Sequence, residues 1–347
     1  MGIAAEDRGK ILMFPTIATL AEAATEVGLN FIEGADRLLL PWDLHRQLFT
    51  FTAHPRPALV SFAQVRRDIS MGLLRDVSEF IDNWNSERIN PTASFRVTDE
   101  GDLSVAFSAF MPVGAGLSFE QLTDFIYRSC DVTDMAVNAL ADHLGPDVVS
   151  GLNDFARTYE DDKALRTSLF RPRNLDGDPG REMDEHTALN LFLDSSEQPA
   201  MFDDELSPIT IDRIADTWAT RGITNMEKHE DFIVTGINNI LMAVFIDNGP
   251  SLLMRGHWDC FVPEADLLKA FLIANDWNNA PSLTRALWLN EDQALQLRVE
   301  AALPITHGMS SEQLDEVITT YTQEILRAID SLSMDISGHS PVHWPDQ

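Results

Sequence analysis

Two serines stand in a sequence setting that could support nucleophilic catalysis. Residues 116–118 read Gly-Leu-Ser and residues 308–310 read Gly-Met-Ser, whereas α/β-hydrolases present their nucleophile in the motif G-x-S-x-G. The fifth position is glutamate in both stretches, so neither motif is complete. Each serine is instead followed three residues later by glutamine, which is the spacing of a capping box that begins a helix. We therefore interpret Ser118 and Ser310 as helix caps and predict no catalytic residues and no enzymatic activity.

Patterns for nucleotide and metal binding are incomplete as well. The stretch 114–116 lacks the third glycine of a dinucleotide-binding loop. The acidic turn at 176–180 is similar to the start of a calcium loop, but Thr187 stands where such a loop needs glutamate. His339 and His343 are four residues apart, but a Ser-Pro pair between them disfavours the helix that would place both on one metal. The sequence therefore predicts no cofactor and no metal site.

The strongly negative net charge disfavours two classes of partner, nucleic acids and anionic membranes. Of the 347 residues, 55 are Asp or Glu and 25 are Lys or Arg, which gives a formal net charge of −30 at pH 7. A surface of this charge repels phosphate backbones and anionic lipid head groups. We therefore predict that the chain binds no nucleic acid and does not insert into a membrane.

Cysteine use and the first residues predict the compartment. Cys130 and Cys260 are too few for a disulfide framework, which is typical of a reducing compartment. Residues 1–15 are interrupted by charges and carry no signal-peptide pattern. No stretch approaches the roughly 20 apolar residues of a membrane-spanning helix. These features predict a cytoplasmic protein.

The two capping-box stretches belong to a longer internal repeat. In each copy a strand with one apolar face precedes the cap, a Trp-Asn pair precedes the strand, and a helix closed by glycine stands at the front. The offset between the copies is nearly constant, which indicates an internal duplication. It is 194 residues for Gly28 and Gly222, 193 for Trp84 and Trp277, and 192 for Ser118 and Ser310.

Both copies predict the same order of elements. Hydrophobic periodicity gives a helix, three strands, a helix, a hairpin of two strands and a final helix, or α-β-β-β-α-β-β-α. This order belongs to the α+β class, with an antiparallel sheet packed by helices. We place the first module at residues 15–145 and the second at residues 207–333.

The residues outside the two modules read as connecting segments. Between Asp147 and Glu205 the chain has 15 acidic and 6 basic residues and is rich in Pro, Gly and Ser. Its weak periodicity predicts that residues 146–206 form an acidic linker with short helices at most. Residues 334–347 are predicted to be a loose tail.

Together, these motifs resemble those of the YbjN family of bacterial proteins. The resemblance is carried by the order of elements, by the Trp-Asn pair before the hairpin and by the helix start G-x-S-x-E-Q-L after it. It covers about residues 15–145 and 207–333. With two copies in one acidic chain, the sequence is similar to tandem members from actinobacteria. The resemblance implies a fold like that of type III secretion chaperones and a role in sensory-transduction regulation. The family has no established catalytic residues to carry over.

The resemblance also implies a class of partner. Chaperones of this fold bind other polypeptides, usually as dimers. A tandem chain resembling them is therefore expected to bind another polypeptide. It would do so either as an intramolecular pseudo-dimer or as a homodimer.

Four tryptophans are candidates for contacts with that partner, because aromatic residues dominate binding hot spots. Trp84 and Trp277 occupy equivalent positions, where they either close the core under the hairpin or line a partner groove. Trp258 and Trp288 have no aromatic counterpart in our alignment of the copies. The residues aligned with them are Gln64 or Val65 and Arg96.

Three functions are compatible with these observations. The first is a non-enzymatic protein-binding or regulatory module, which we favour because of the duplication, the acidity and the incomplete catalytic motifs. The second is a chaperone for a client polypeptide segment. The third is an enzyme with an unrecognised site between the two modules, which would need polar residues with perturbed pKa values in a cleft.

Overall fold

The computed structural model describes residues 11–53, 56–149, 205–291 and 294–344. Within these ranges the chain forms two modules, each built around a six-stranded antiparallel sheet with helices packed on it. The structure therefore confirms the α+β class and the tandem arrangement.

The first module contains helices α1 to α4 and strands β1 to β6. Its sheet has the strand order β1-β2-β3-β4-β6-β5. The elements are α1 (Ile17–Val27), β1 (Ile32–Glu33), β2 (Arg37–Pro41), β3 (His45–Thr52), β4 (Ala58–Val65), a 3₁₀ turn (Met71–Leu73), α2 (Leu74–Glu87), β5 (Thr92–Val97), β6 (Leu103–Pro112), α3 (Phe119–Leu144) and α4 (Pro146–Val149).

The second module repeats this plan. Its sheet has the order β7-β8-β9-β10-β12-β11, which matches that of the first. The elements are α5 (Ile211–Thr220), β7 (Met226–Lys228), β8 (Phe232–Ile237), β9 (Ile240–Asp247), β10 (Ser251–Pro263), a 3₁₀ turn (Glu264–Asp266), α6 (Leu267–Asn279), β11 (Arg285–Glu291), β12 (Ala294–Pro304) and α7 (Ser311–Ser337).

Each module has one strand more than the predicted order. Strands β1 and β7 lie at one edge of their sheets and are two and three residues long. The period-two alternation that identifies a strand needs about four residues or more. These two edge strands were missed for that reason.

The predicted capping boxes begin the last long helix of both modules. The Ser118 Oγ accepts a hydrogen bond from the backbone N–H of Gln121 at 3.1 Å, and the Ser118 N–H donates to Gln121 Oε1 at 2.9 Å. Ser310 and Gln313 repeat the exchange at 3.0 and 3.1 Å. Both serines are fully buried, and their interpretation as helix caps is confirmed.

The glycine before each cap is required by the backbone. Gly116 and Gly308 have φ angles of 74° and 70°, in the left-handed region that side chains with a Cβ rarely adopt. An incoming segment also runs close to them: a Cβ on Gly308 would lie 2.5 Å from the carbonyl oxygen of Ser207, and one on Gly116 would lie 3.2 Å from that of Met13. The repeated glycine therefore sets the entry to the helix.

The core of each module lies between its sheet and its long helix. In the first module α3 packs against β4, β6 and α1, and buried Leu20, Phe49 and Phe125 belong to one apolar cluster. In the second module α7 packs against β10, β12, α5 and α6. Gly256 on β10 allows the closest approach, since a Cβ there would overlap the side chain of Ile325 on α7.

Two predicted segments border the modules. Most of the predicted linker, residues 150–204, lies outside the described residues, so the linker stays a prediction. The predicted tail starts inside α7, and beyond that helix His343 exchanges two hydrogen bonds with the Asn238 side chain. Val342, the residue before His343, is buried. One apolar residue among polar ones gives no periodicity from which such docking could be predicted.

Candidate functional site

An open groove on the second module is the principal candidate surface. It has a volume of about 730 Å³ and lies between α6 and the C-terminal part of α7. Leu268, Leu272 and Trp277 line its α6 side. Leu268 is 65% exposed and Leu272 is 38% exposed. Since large apolar side chains are more often covered in the folded state, a cluster of exposed ones marks a surface that can bind a partner.

The groove follows from the sequence of α6. Leu268, Leu272 and Asp276 are four residues apart and so share one face of the helix. Ala270 and Ala274 form the buried side against the core. Because all three leucines of the helix, Leu267, Leu268 and Leu272, are exposed in addition to the buried alanines, α6 is apolar on more than the stripe that the core needs. This excess of apolar residues is the sequence signal by which Leu268 and Leu272 could have been found; neither was among the predicted partner contacts.

Three charged side chains line the groove beside its apolar part. Asp276 and Asp335 line it, together with the cation Lys269. The Lys269 Nζ donates to the carbonyl oxygen of Ile336 at 3.2 Å, in the last turn of α7. The C-terminus of a helix carries a partial negative charge, and the last turn of α7 has no basic residue of its own. Lys269 of α6 therefore supplies a cation at this helix end.

The two modules can be compared residue by residue at this place. Asn85 exchanges two hydrogen bonds with the backbone of Ala93, and Asn278 does the same with Ala286. This shared contact fixes an offset of 193 residues between α2 and α6 and between β5 and β11. Positions in the two modules that this offset relates, or that the strand pairing places at the same site of the two sheets, are called equivalent below.

Among the described residues of the first module, charged side chains stand at the positions of the two leucines. Arg75 and Glu79 are equivalent to Leu268 and Leu272, and both are exposed to solvent. The adjacent space holds the imidazole of His143, whose ring lies 5.8 Å from that of Phe80. His143 Nε2 also lies 3.1 Å from the carbonyl oxygen of Asp76. The apolar groove is thus a property of the second module.

Trp84 and Trp277 tie the helix before each hairpin to the start of the hairpin. The Trp84 Nε1–H donates to the carbonyl oxygen of Pro91 at 2.9 Å, and the Trp277 Nε1–H donates to Thr284 Oγ1 at 3.2 Å. Trp84 is buried, whereas Trp277 is half-buried and lines the groove. Of the four predicted partner contacts, Trp277 is therefore the one that this groove includes.

Trp258 and Trp288 lie on one face of the second sheet, on either side of Leu297. Both are directly opposite Leu297 of β12, one from β10 and one from β11, so they share a face of the sheet. Trp258 is half-buried, and Trp288 is 5% exposed. Within the described residues the Trp288 indole N–H has no hydrogen-bond partner.

The structure corrects the alignment of Trp288. The offset of 193 makes Phe95 its equivalent, not Arg96, and Phe95 is also buried. Trp288 therefore stands at an aromatic core position that both modules share. The alignment slipped because the hairpin of the second module is one residue shorter, so the offset falls to 192 beyond it.

A buried ionic network joins three strands of the second sheet. Glu300 on β12 is 2% exposed, and it accepts hydrogen bonds from Arg255 Nε at 2.6 Å and Arg285 Nε at 2.8 Å. Arg298 Nε lies 3.4 Å from Glu300 Oε1. Burial by itself would raise the pKa of Glu300, but the charges of Arg285, Arg255 and Arg298 hold it below the usual value. The hydrogen bonds between Glu300 and the two arginines Arg255 and Arg285 satisfy the buried carboxylate, which is typical of a structural network.

The first module buries polar side chains in another place, on β3 beneath α3. The Gln47 Nε2 donates to Ser61 Oγ at 2.8 Å and to the carbonyl oxygen of Ser129 at 3.2 Å, and Trp42 Nε1 donates to Gln47 Oε1 at 3.1 Å. His45 is fully buried, and neither ring nitrogen has a hydrogen-bond partner among the described residues. Burial, with a contribution from the charge of Arg66, lowers the pKa of His45 to about 4.

Other reactive groups are not assembled into sites in the described part of the chain. Burial, with the charge of Asp131, raises the pKa of the Cys130 thiol to about 12, so it is a poor nucleophile. No group of three or more His, Cys, Asp or Glu side chains is placed to hold a metal ion there. The acidic turn at 176–180 lies outside the described residues. No helix within the described ranges is long and apolar enough to cross a membrane.

Comparison with known proteins identifies the family. The model of the YbjN family, described as "Putative bacterial sensory transduction regulator", matches residues 16–142 and 210–334. The crystal structure of YbjN from E. coli, described as "a putative transcription regulator", is similar with 17% sequence identity and a TM-score of 0.34. That likeness covers 38% of this chain and 96% of that one. No curated protein matches the chain. Because the family model matches well over half of the sequence, in two separate copies, this chain belongs to the YbjN family.

Proposed function

We propose that this chain is a non-enzymatic protein that binds another polypeptide, and that the groove of its second module is the binding surface. The observation that carries the proposal is the pair of exposed leucines, Leu268 and Leu272, beside the half-buried Trp277. Membership of the YbjN family supports a regulatory or binding role in general.

The difference between the modules supports a functional reason for these leucines. Folding does not require leucine at the two positions, since the equivalent helix α2 has Arg75 and Glu79 there. Burial of apolar surface drives protein association at about 25 cal/mol for each Å² removed from water. Two exposed leucines and a tryptophan edge therefore favour binding more than they favour folding.

The shape of the groove suits a short segment of polypeptide. The stripe from Leu268 to Asp276 is about 12 Å long, at 1.5 Å per helical residue. This length matches roughly two turns of a partner helix, whose apolar face would lie in the groove between α6 and α7. The expected occupant is such a segment of another protein.

A peptide-display selection on the full-length chain tests this proposal. A library of helical peptides is selected on the wild-type chain, and the enriched peptides are measured against a Leu268→Arg/Leu272→Glu variant, which carries the residues of the first module. We expect these peptides to bind the wild type and to lose at least about tenfold in affinity for the variant, because hot-spot apolar contacts dominate such interfaces.

A matched control separates the groove from general surface effects. Met135 on α3 is 51% exposed, and Met135→Glu adds a charge to an exposed apolar position outside the groove. This variant is expected to bind the peptides as the wild type does. A selection that enriches no peptide would overturn the proposed function. Peptides that bind the wild type and the Leu268→Arg/Leu272→Glu variant equally well would overturn the assignment of the groove.

A further inference from the structure

We infer that the groove binds a basic amphipathic helix, with leucine-sized residues on one face and Lys or Arg on its flanks. This inference rests on the proposed function and adds the chemistry of the partner. It follows from the charges around the groove, from the end of α7 and from the chain's own excess of acidic residues.

The groove presents more negative than positive charge to an occupant. Asp276 and Asp335 line it from opposite helices, and Lys269 is the cation among the lining residues. The ammonium group of Lys269 is already hydrogen-bonded to the Ile336 carbonyl. A partner that places cations near the two aspartates would therefore gain attraction that an acidic or neutral partner would not.

The end of α7 adds to this negative potential. Helix α7 is 27 residues long, and its last turn contains no basic residue. The carbonyl groups at a helix C-terminus are equivalent to about half a negative charge, which the Lys269 ammonium group at the Ile336 carbonyl offsets in part. Because Asp335 belongs to the same last turn, the potential at this end of the groove favours a Lys or Arg side chain.

The positions of the leucines define the apolar face of the partner. Leu268 and Leu272 are one helical turn apart, and Asp276 follows after one further turn on the same stripe. A helix packed along this stripe places apolar residues against the leucines and basic residues beyond them. Its expected pattern is apolar at i and i+4, with Lys or Arg one turn further along or on the adjacent flank.

The acidic segment of the chain itself is a poorer occupant. Asp147 to Glu205 contains 15 acidic and 6 basic residues, so its charge has the same sign as that of the groove. A second copy of the chain has the same disadvantage, because each copy carries a net charge of −30. A basic segment of another protein fits the surface better than either.

Two designed peptides test the inference. Both are amphipathic helices with the same leucine face; one carries Lys on its flanks and the other carries Glu at the same positions. Their affinities for the full-length chain are measured by fluorescence anisotropy at low and high salt. We expect the Lys peptide to bind at least about tenfold more tightly at low salt, and the ratio to shrink at about 1 M salt, where exposed charges are screened.

Variants with asparagine in place of aspartate test which residues cause the preference for the Lys peptide. Asp276→Asn/Asp335→Asn is expected to weaken binding of the Lys peptide about two- to 25-fold, because each of the two exposed ion pairs contributes a factor of about 1.4 to 5. The control is Asp131→Asn/Asp142→Asn, which makes the same change of net charge at exposed positions of α3. The control chain is expected to bind the Lys peptide as the wild type does.

The outcomes distinguish this inference from the proposed function. If both peptides bind equally and Leu268→Arg/Leu272→Glu abolishes both, the groove stands and the basic partner is overturned. If neither peptide binds although the display selection enriches others, the basic helix is likewise overturned. A homodimer in sedimentation that Leu268→Arg/Leu272→Glu dissociates would overturn it too, because a second copy would then occupy the groove.

Discussion

Beneath its long helix the first module buries His45, Gln47 and Ser61, whereas the second buries Ile240, Met242 and Met254 at the equivalent positions. The equivalence follows from the strand pairing: Gln47 lies opposite Ala63, and Met242 lies opposite Gly256. A polar interior restricts how side chains can pack, because each buried donor and acceptor needs a partner. An apolar interior tolerates more arrangements of similar volume.

On the opposite face of the two sheets the second module has the more polar side chains. The second module has the ion pairs of Glu300 with Arg255 and Arg285, and the first has Ser108, Phe62 and Thr92 there. After duplication, each copy thus kept the strand order and the caps, while the polar groups moved to different faces. The comparison teaches that this fold is specified by its caps, turns and apolar alternation, and that the positions between them are free to diverge.

The largest expected effect comes from breaking the ionic network. Glu300→Ser gives the second module the residue of the first and leaves Arg255 and Arg285 without their shared carboxylate. Removal of one partner from a buried ion pair costs about 3–5 kcal/mol. We expect the free energy of unfolding of the second module to fall by that amount, as measured by hydrogen exchange of peptides from β10, β11 and β12.

The matched control restores the composition of the first module. Arg255→Phe/Arg285→Thr/Arg298→Ala/Glu300→Ser removes the three guanidinium groups near Glu300 as well, and should be less destabilised than Glu300→Ser alone. If the quadruple variant is as unstable as the single one, unpaired charge is not the cause of the loss.

Lowering the pH is expected to reduce the free energy of unfolding of the first module, because His45 binds a proton more readily in the unfolded chain. Its pKa in the folded protein is about 4, below the ordinary value of 6.5, so the unfolded chain binds the proton more tightly. Stability is therefore full above about pH 6.5 and falls as the pH drops toward 4, by about 3 kcal/mol over this window at 1.36 kcal/mol per pH unit. Hydrogen exchange of β3 peptides between pH 7 and pH 4, corrected for the intrinsic rate, measures the loss.

The control for this prediction is His45→Ile, which introduces the residue of the second module. The second module is not a sufficient reference, because burial and the charge of Arg298 also lower the pKa of His257. The variant should lose most of the pH dependence in β3. An equal loss of stability in the wild type and in His45→Ile would show that other groups cause it.

A smaller difference is expected at the repeated glycines. Gly116→Ala and Gly308→Ala both force a left-handed backbone on alanine, which costs about 1–2 kcal/mol. Gly308→Ala should cost about 1 kcal/mol more, because its Cβ would lie 2.5 Å from a backbone oxygen, against 3.2 Å at Gly116. Thermal unfolding of the two variants compares them, and an equal loss at both sites would contradict the role of the incoming segment.

These particular elements show what the sequence could and could not predict. The capping boxes at Ser118 and Ser310 were predictable, since a cap depends on residues only three apart in the chain. The Trp-Asn pair was predictable as a repeated motif for the same reason. In contrast, the equivalence of Trp288 with Phe95 depends on the length of a hairpin turn, and one missing residue was enough to shift the alignment.

The candidate site was predicted only in part. Trp277 was a candidate because it is aromatic and repeated, and it does line the groove. Leu268 and Leu272 were not, because a leucine in a helix is most often part of a core. The apolar excess of α6 indicates that some of its apolar side chains stay uncovered, but which ones depends on where α7 lies against α6, which is a tertiary property. Comparison of α6 with Arg75 and Glu79 of α2 is the step that reveals them.

The smallest expected effect on stability is also the one that bears most directly on function. Leu268→Arg/Leu272→Glu changes two exposed side chains to those that α2 carries, so the free energy of unfolding should stay within about 0.5 kcal/mol of the wild type. A loss of peptide binding at unchanged stability assigns these leucines to a partner. A loss of more than about 1 kcal/mol, or faster hydrogen exchange in α6, would instead assign them to the fold of the second module. The reverse change, Arg75→Leu/Glu79→Leu, should create no binding, because His143 packed near Phe80 occupies the corresponding space in the first module.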